Sequence, residues 1–205
     1  MIITLQEELP FIAGILAGTD EAGRGPLAGN VVAAAVILNP EMPIDGLDDS
    51  KKLTEKKRSF LAQEIKQHAL SWSVISISPQ KIDDMNILQA SLYAMRTAAE
   101  NLDVTPGHIF VDGNKTLPNC FCSNTAVIKG DSRVAEISAA SILAKVERDS
   151  QMLELHKQYP EYGFDKHKGY PTKIHREVLY SIGPCPEHRR SYSPVREAIL
   201  MMEAR

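Results

Sequence analysis

The sequence predicts an α/β layered domain built on one mixed sheet, and three features of its 205 residues carry that expectation. Two apolar runs rich in Val, Ile and Ala, at residues 12–18 and 30–38, flank the turn-forming GRGPLAG and read as an adjacent pair of strands. Further strand-like runs return only after helical stretches, the alternation that a layered α/β sheet requires. No internal repeat, low-complexity tract or flexible linker interrupts the chain, so residues 1–205 read as a single domain.

Each later element follows from its own pattern. From Thr54 to Ala69, apolar Leu53, Phe60, Leu61, Ile65 and Ala69 fall on one side and charges on the other, which predicts a helix with Thr54 as its N-cap. A strand is expected at 70–77, where Leu70, Trp72, Val74, Ile75 and Ile77 alternate imperfectly with Ser. Residues 80–85 and 86–102 read as helices, and Pro106 with Gly107 breaks the chain before the strand HIFVD at 108–112. TAVIK, at 125–129, is a short strand ending at Gly130. The longest helical pattern runs from Val134 to Tyr159, where Pro160 stops it, and the tail at 172–183 and 194–203 reads as helical too.

Bulk composition narrows the function. With 43% hydrophobic and 24% charged residues the chain belongs with folded globular proteins rather than disordered or fibrous ones. No apolar stretch approaches the roughly 18 to 20 residues of a membrane span. No basic leader precedes the first apolar run either, so a cytoplasmic protein without a membrane partner, by default a monomer, is expected. A net charge of −3 gives no long-range field to gather polyanions, so any nucleic-acid site must be local. Basic clusters exist at Lys51 and Lys52, at Lys56, Lys57 and Arg58, at Lys166, His167 and Lys168, and at His188, Arg189 and Arg190. Each is an ordinary solvated face unless it lies beside a site. Cys120, Cys122 and Cys185 suggest no disulfide framework, in keeping with a reducing compartment; with His188 they form a zinc alternative that lacks a recognised ligand spacing.

Four acidic residues occupy telling places. Asp20 and Glu21 end an apolar strand before a glycine-rich turn, Asp112 ends HIFV before Gly113, and Asp131 follows VIKG ahead of the long helix. Strand ends of α/β sheets gather side chains from distant sequence positions. Taken singly, Asp112 reads as a turn former and Asp131 as a helix cap, and adjacent strand residues such as Asp20 and Glu21 point to opposite faces. Taken together, an all-carboxylate set suits hard divalent cations, Mg²⁺ or Mn²⁺, better than zinc. Two such ions about 4 Å apart are suited to phosphodiester hydrolysis. Gly23, Arg24 and Gly25 offer a backbone that a ligand can approach closely, with N–H donors and one cation, although a plain turn would use the same glycines. Tyr170 offers a stacking ring or simple packing.

Five blocks in order, TDEAGRGPLAG, LDDSKKLTEKKR, FVDGNK, KGDSRVAEISAASILAKVERD and YGFDKHKGYPT, resemble the bacterial type 2 ribonuclease H family, ribonuclease HII, from about Ile12 to Val195. The resemblance implies a ribonuclease H-like fold, a five-stranded mixed sheet flanked by helices with a helical C-terminal extension. It implies an endoribonuclease acting on RNA–DNA hybrids and ribonucleotide-containing duplex DNA, with the acidic quartet on Asp20, Glu21, Asp112 and Asp131 holding Mn²⁺ or Mg²⁺. It further implies that Gly23, Arg24 and Gly25 recognise the ribose 2′-hydroxyl and flanking phosphates, that Lys51 and Lys52 bind substrate, and that Tyr170 stacks at the RNA-to-DNA junction. A DNA-cleaving nuclease on a similar scaffold and a non-catalytic hybrid-binding module are the rival readings. The segment from His188 to Ser193 matches the family, but its role does not follow from the residues.

Overall fold

The computed structural model describes residues 1–4, 7–9, 12 and 14–205. Along the chain it forms β1 (Ile2–Ile3), β2 (Leu16–Ala22), β3 (Val31–Ile37), α1 (Glu55–His68), β4 (Ser71–Ile77), α2 (Pro79–Met85), α3 (Ile87–Glu100), β5 (His108–Asp112), β6 (Ser123–Val127), α4 (Ala135–Gln158), α5 (Phe164–His167), α6 (Lys173–Ile182) and α7 (Ser193–Glu203). The strands make one sheet in the order β1-β6-β5-β2-β3-β4, with β2, β3 and β4 antiparallel neighbours and β2, β5, β6 and β1 parallel ones.

Strand β3, VVAAAVI, is buried along its whole length, and its two faces build the two halves of the core. Ala33, Ala35 and Ile37 pack against Ala90, Ala94 and Ala98 of α3 on one side. Ala34 and Val36 pack against Leu61 and Ile65 of α1 and Ala140 and Leu143 of α4 on the other. Period-2 alternation on a strand covered on both faces demands this continuous apolar run. Helix α4 lies so close to β2 that a side-chain carbon at Gly18 would collide with the backbone of Glu136 and Ile137, so only glycine lets the helix seat there. The helical C-terminal extension, α5 to α7, packs through Tyr162, Phe164 and Cys185 against Met152 of α4 and Ala28, and through Leu179 and Val195 against Leu27.

The mixed sheet and the helical extension match the expected architecture, with corrections. The sheet has six strands, because Ile2–Ile3 adds a parallel edge strand to β6 that is too short to leave an alternation signal. The first long strand begins at Leu16 rather than at 12; position 13 lies outside the described residues, and Gly14, at φ +110, is not in the extended conformation. The strand runs on to Ala22, so Asp20 and Glu21 lie inside it. Strand β6 sits two residues earlier than expected, since Lys129 turns left-handed at φ 53 and ends the extended run. Thr54 caps α1 as expected, its hydroxyl accepting from the Lys57 N–H. The four-residue α5 carries no periodic signal of its own.

Candidate active site

Parallel pairing sets the acidic cluster. The β2–β5 register, Thr19 against Val111, brings Asp20 and Asp112 to the same C-terminal edge of neighbouring strands. Asp112 Oδ1 accepts the N–H groups of Gly130 (2.8 Å) and Asp131 (3.4 Å), which holds a 3₁₀ turn, Gly130–Ser132, and places Asp131 beside it. Asp131 thus sits in this turn and does not cap α4, whose first turn has no side-chain cap. Asp20 pairs with Ala34 and Glu21 with Ala33, so the two straddle the sheet, Asp20 on the α4 side and Glu21 on the α3 side. Among the described residues, no three acidic, histidine or cysteine side chains already converge as a closed cage. The carboxylates instead ring the sheet edge.

Their electrostatics are under-compensated. Burial, then the charges of Glu21 and Asp112, push the 5%-exposed Asp20 well above the usual carboxylate range. Burial lifts Glu21 to about 7, against the pull of Arg24 at 3.3 Å and with the help of Asp112. Burial and Asp131 raise Asp112; burial and Asp49 raise Asp131, opposed by Lys51. Lys51, with its Nζ 3.6 Å from Asp131, is partly desolvated, yet Asp131, Asp49, Asp20 and Asp112 together raise its pKa. An ammonium group already answers this cluster. The all-oxygen donor set and its mutual repulsion fit hard divalent cations.

Beside the carboxylates lies a groove of about 410 Å³ lined by Glu21, the Gly23-Arg24-Gly25 turn, Ser50, Lys51, Arg58, Ser141, Lys145, Arg148 and Tyr170. A smaller hollow against α3 shares Glu21 and Arg24 and adds Asp112 and Lys115. Another hollow of similar size, about 430 Å³, opens at the opposite end of β2 and β3 near Leu16, Ile37 and Met42. Its one ionisable lining residue is Glu136, so it lacks the converging charge that marks the groove. Five cations line this groove: Arg24 and Lys51 pair with Glu21 and Asp131 of the acidic edge, Arg58 and Lys145 with Asp149, and Arg148 with backbone carbonyls, a lining that suits an anionic ligand.

A family model for ribonuclease HII matches residues 17–195. The chain belongs to the ribonuclease HII family. The ribonuclease HII of Shewanella halifaxensis (strain HAW-EB4) is 56% identical over 197 residues, 96% of this chain and 97% of that protein. The ribonuclease H2 of Pyrococcus horikoshii OT3 superposes with a TM-score of 0.77 at 28% identity, over 93% of this chain and 99% of its own. Bst ribonuclease HIII, solved with Mn²⁺, gives a TM-score of 0.69 at 17% identity, over 93% of this chain and 71% of its own, a likeness of fold. As a member of that family, the chain is a divalent-metal-dependent endonuclease, a hydrolase acting on RNA–DNA hybrids, and its fold is ribonuclease H-like. Among the described residues no helix is long and apolar enough to cross a membrane.

The structure gathers most of the residues singled out from the sequence. Gly23, Arg24, Gly25, Lys51 and Tyr170 line one groove with Glu21. Lys52 does not join them; its Nζ lies 3.0 Å from Asp48 on the surface. The zinc alternative is split, since Cys120 and Cys122 pack beside α3 whereas Cys185 and His188 bond each other in the C-terminal extension. Arg58, which the sequence showed only as part of a basic cluster, lies beside the site, whereas Ser50, Ser141, Lys145 and Arg148 escaped the sequence reading. Arg58 holds the Lys51 loop by donating to the Ser50 carbonyl at 2.9 Å and to that of Leu53, and Ser50 bonds Ser141 at 2.9 Å. Ser141, Lys145 and Arg148 share one face of α4 at intervals of four and three, a spacing that was available to find them.

Proposed function

We propose that this protein hydrolyses the RNA strand of RNA–DNA hybrids and cuts on the 5′ side of ribonucleotides embedded in duplex DNA, leaving 3′-hydroxyl and 5′-phosphate ends, as a cytoplasmic monomer. The observation that carries this reading is the single groove in which Glu21, Gly23-Arg24-Gly25, Lys51 and Tyr170 meet beside Asp20, Asp112 and Asp131. Asp20, Glu21 and Asp112 would hold two divalent cations, Mn²⁺ or Mg²⁺, and Asp131 would complete the second site or help product leave. When bound, the cations supply Lewis-acid activation and neutralise charge at the reacting phosphate.

The chain's own residues do the recognition. The Gly23–Gly25 turn takes the ribose 2′-hydroxyl and adjacent phosphates; that hydroxyl is what separates RNA from DNA. Tyr170, 43% exposed and within cation–π range of the Arg148 guanidinium at 5.9 Å, offers its free face to the deoxyribose that follows the ribonucleotide. Lys51 answers the nearby phosphate as a positive charge. The test is cleavage of a labelled duplex containing one ribonucleotide in Mg²⁺, Mn²⁺ or EDTA, beside all-DNA and all-RNA duplexes. One metal-dependent cut 5′ to the ribonucleotide, with both controls intact, is expected. Cutting of the all-DNA duplex, or no cut with any metal, overturns the proposal.

A further inference from the structure

The segment after α6 that the sequence left without a role, HRRSY, lies behind the Gly23–Gly25 turn. Arg189 is 0% exposed, and its guanidinium meets backbone carbonyls: Gly23 at 2.7 Å, Arg24 at 3.2 Å and Gly29 at 3.0 and 2.8 Å. The Tyr192 hydroxyl donates to the Arg24 carbonyl at 2.6 Å and accepts from Arg189 Nη1 at 3.1 Å. The segment is itself anchored. Asp83 of α2 accepts from the N–H groups of Arg190 (2.8 Å) and Ser191 (2.9 Å), and the Arg189 N–H bonds the Leu27 carbonyl at 2.8 Å.

A trans peptide unit points its C=O and N–H in opposite directions, and the described chain has no cis bonds. Holding the Gly23 carbonyl rearward therefore turns the Arg24 N–H away from Arg189, and holding the Arg24 carbonyl does the same for the Gly25 N–H. Arg24 and Gly25 are exposed and line the groove, and among the described residues neither N–H bonds another backbone group. Glycines on both sides of Arg24 leave these peptide planes free to flip unless something fixes them. A flipped plane would aim carbonyl lone pairs at a polyanion. We infer that Arg189, assisted by Tyr192, is a positioning residue that fixes the polarity of the Gly23–Gly25 turn, so that the turn offers N–H donors to phosphate and ribose oxygens in the groove. The inference rests on the groove being the nucleic-acid site proposed above.

The test compares wild type with Tyr192→Phe, Arg189→Lys and Arg189→Gln, reading KM and kcat for the single-ribonucleotide duplex in Mn²⁺ and, by anisotropy in EDTA, the Kd for the same duplex. Each hydrogen bond lost behind the turn is expected to raise KM and Kd on the order of fivefold, so Tyr192→Phe rises least, Arg189→Gln most, and Arg189→Lys falls between as a partial rescue. The kcat per folded molecule stays within about twofold, because the carboxylates are untouched. A purely structural role lowers the melting temperature and leaves KM and Kd of the folded protein at wild-type values; that result overturns the inference. If Arg189→Gln does not fold, Tyr192→Phe decides alone. A wild type that binds but does not cut defeats the proposed activity while the Kd ratios still judge this inference, and a wild type that does neither defeats both.

Discussion

Two clusters of buried charge flank the Gly23–Gly25 turn, and the fold compensates them differently. Behind it, Arg189, 0% exposed, is answered on all three guanidinium nitrogens by the carbonyls of Gly23, Arg24 and Gly29, and Arg148, 1% exposed, through Nε and Nη2 by those of Ala28, Asn30 and Lys168, with Nη1 alone left without a hydrogen bond among the described residues. In front, Asp20, Glu21, Asp112 and Asp131 repel one another, and what answers them is a handful of N–H groups, Arg24 and Lys51. Charge that the fold satisfies from its own backbone serves the scaffold. Charge that it leaves short of a partner is held for a ligand.

The largest expected effect is on the front cluster: Asp20→Asn or Asp112→Asn lowers metal-dependent cleavage on the order of a thousandfold. The same substitution raises the unfolding free energy of the metal-free protein at pH 8, since it removes a repelled, buried charge. The rear cluster should respond in the opposite way. Arg148→Met, which leaves the Lys168, Ala28 and Asn30 carbonyls without their donor, costs about 3 kcal/mol of stability by chemical denaturation. Equal effects of Asp20→Asn and Arg148→Met on stability would erase the distinction between the two clusters.

Acidity sharpens the contrast. Glu21, raised from its ordinary 4.5 to about 7, holds its proton more tightly when folded, so its share of metal-free stability is present below pH 4.5 and is lost as pH rises through about 7. His175 and His188, pushed by burial to about 4 and about 3, do the reverse: their share is present above pH 6.5 and is lost as pH falls toward those values. Their neutrality is structural. The Tyr170 carbonyl can only accept, at 2.9 Å, so His175 carries its proton on Nδ1 and accepts at Nε2 from His188 Nε2, 3.1 Å away. Denaturation midpoints between pH 6.5 and 7.5 should fall in EDTA and hold or rise in Mn²⁺; a fall that Mn²⁺ leaves untouched would place its cause outside the carboxylates. The smallest effect separates the paired lysines. Lys51→Ala should raise KM a few-fold, roughly the loss of one phosphate contact, whereas Lys52→Ala, already paired with Asp48, should stay within about twofold.

Much of the front cluster was legible in the sequence because strand ends announce themselves: HIFVD closes at Asp112 and the glycine turn follows Glu21. The strand through Asp20 and Glu21 was placed too early, since apolar character in the sequence begins at residue 12 while β2 begins at Leu16. The rear cluster was not legible. Arg189 bonds carbonyls more than 150 positions away in sequence, at residues whose side chains take no part, and no spacing rule records such contacts. Arg58 showed only as part of a basic cluster and Arg148 was hidden by partners that are backbone atoms, although the face of α4 shared by Ser141, Lys145 and Arg148 was there to be read.

The most direct measurement is calorimetric titration of the metal-free protein with Mn²⁺, wild type beside Asp20→Asn and Arg148→Met. Saturable binding to the wild type, retained in folded Arg148→Met and weakened at least tenfold in Asp20→Asn, is the predicted result. Undiminished binding to Asp20→Asn, or none to the wild type, would contradict the assignment of the under-compensated carboxylate edge to divalent cations.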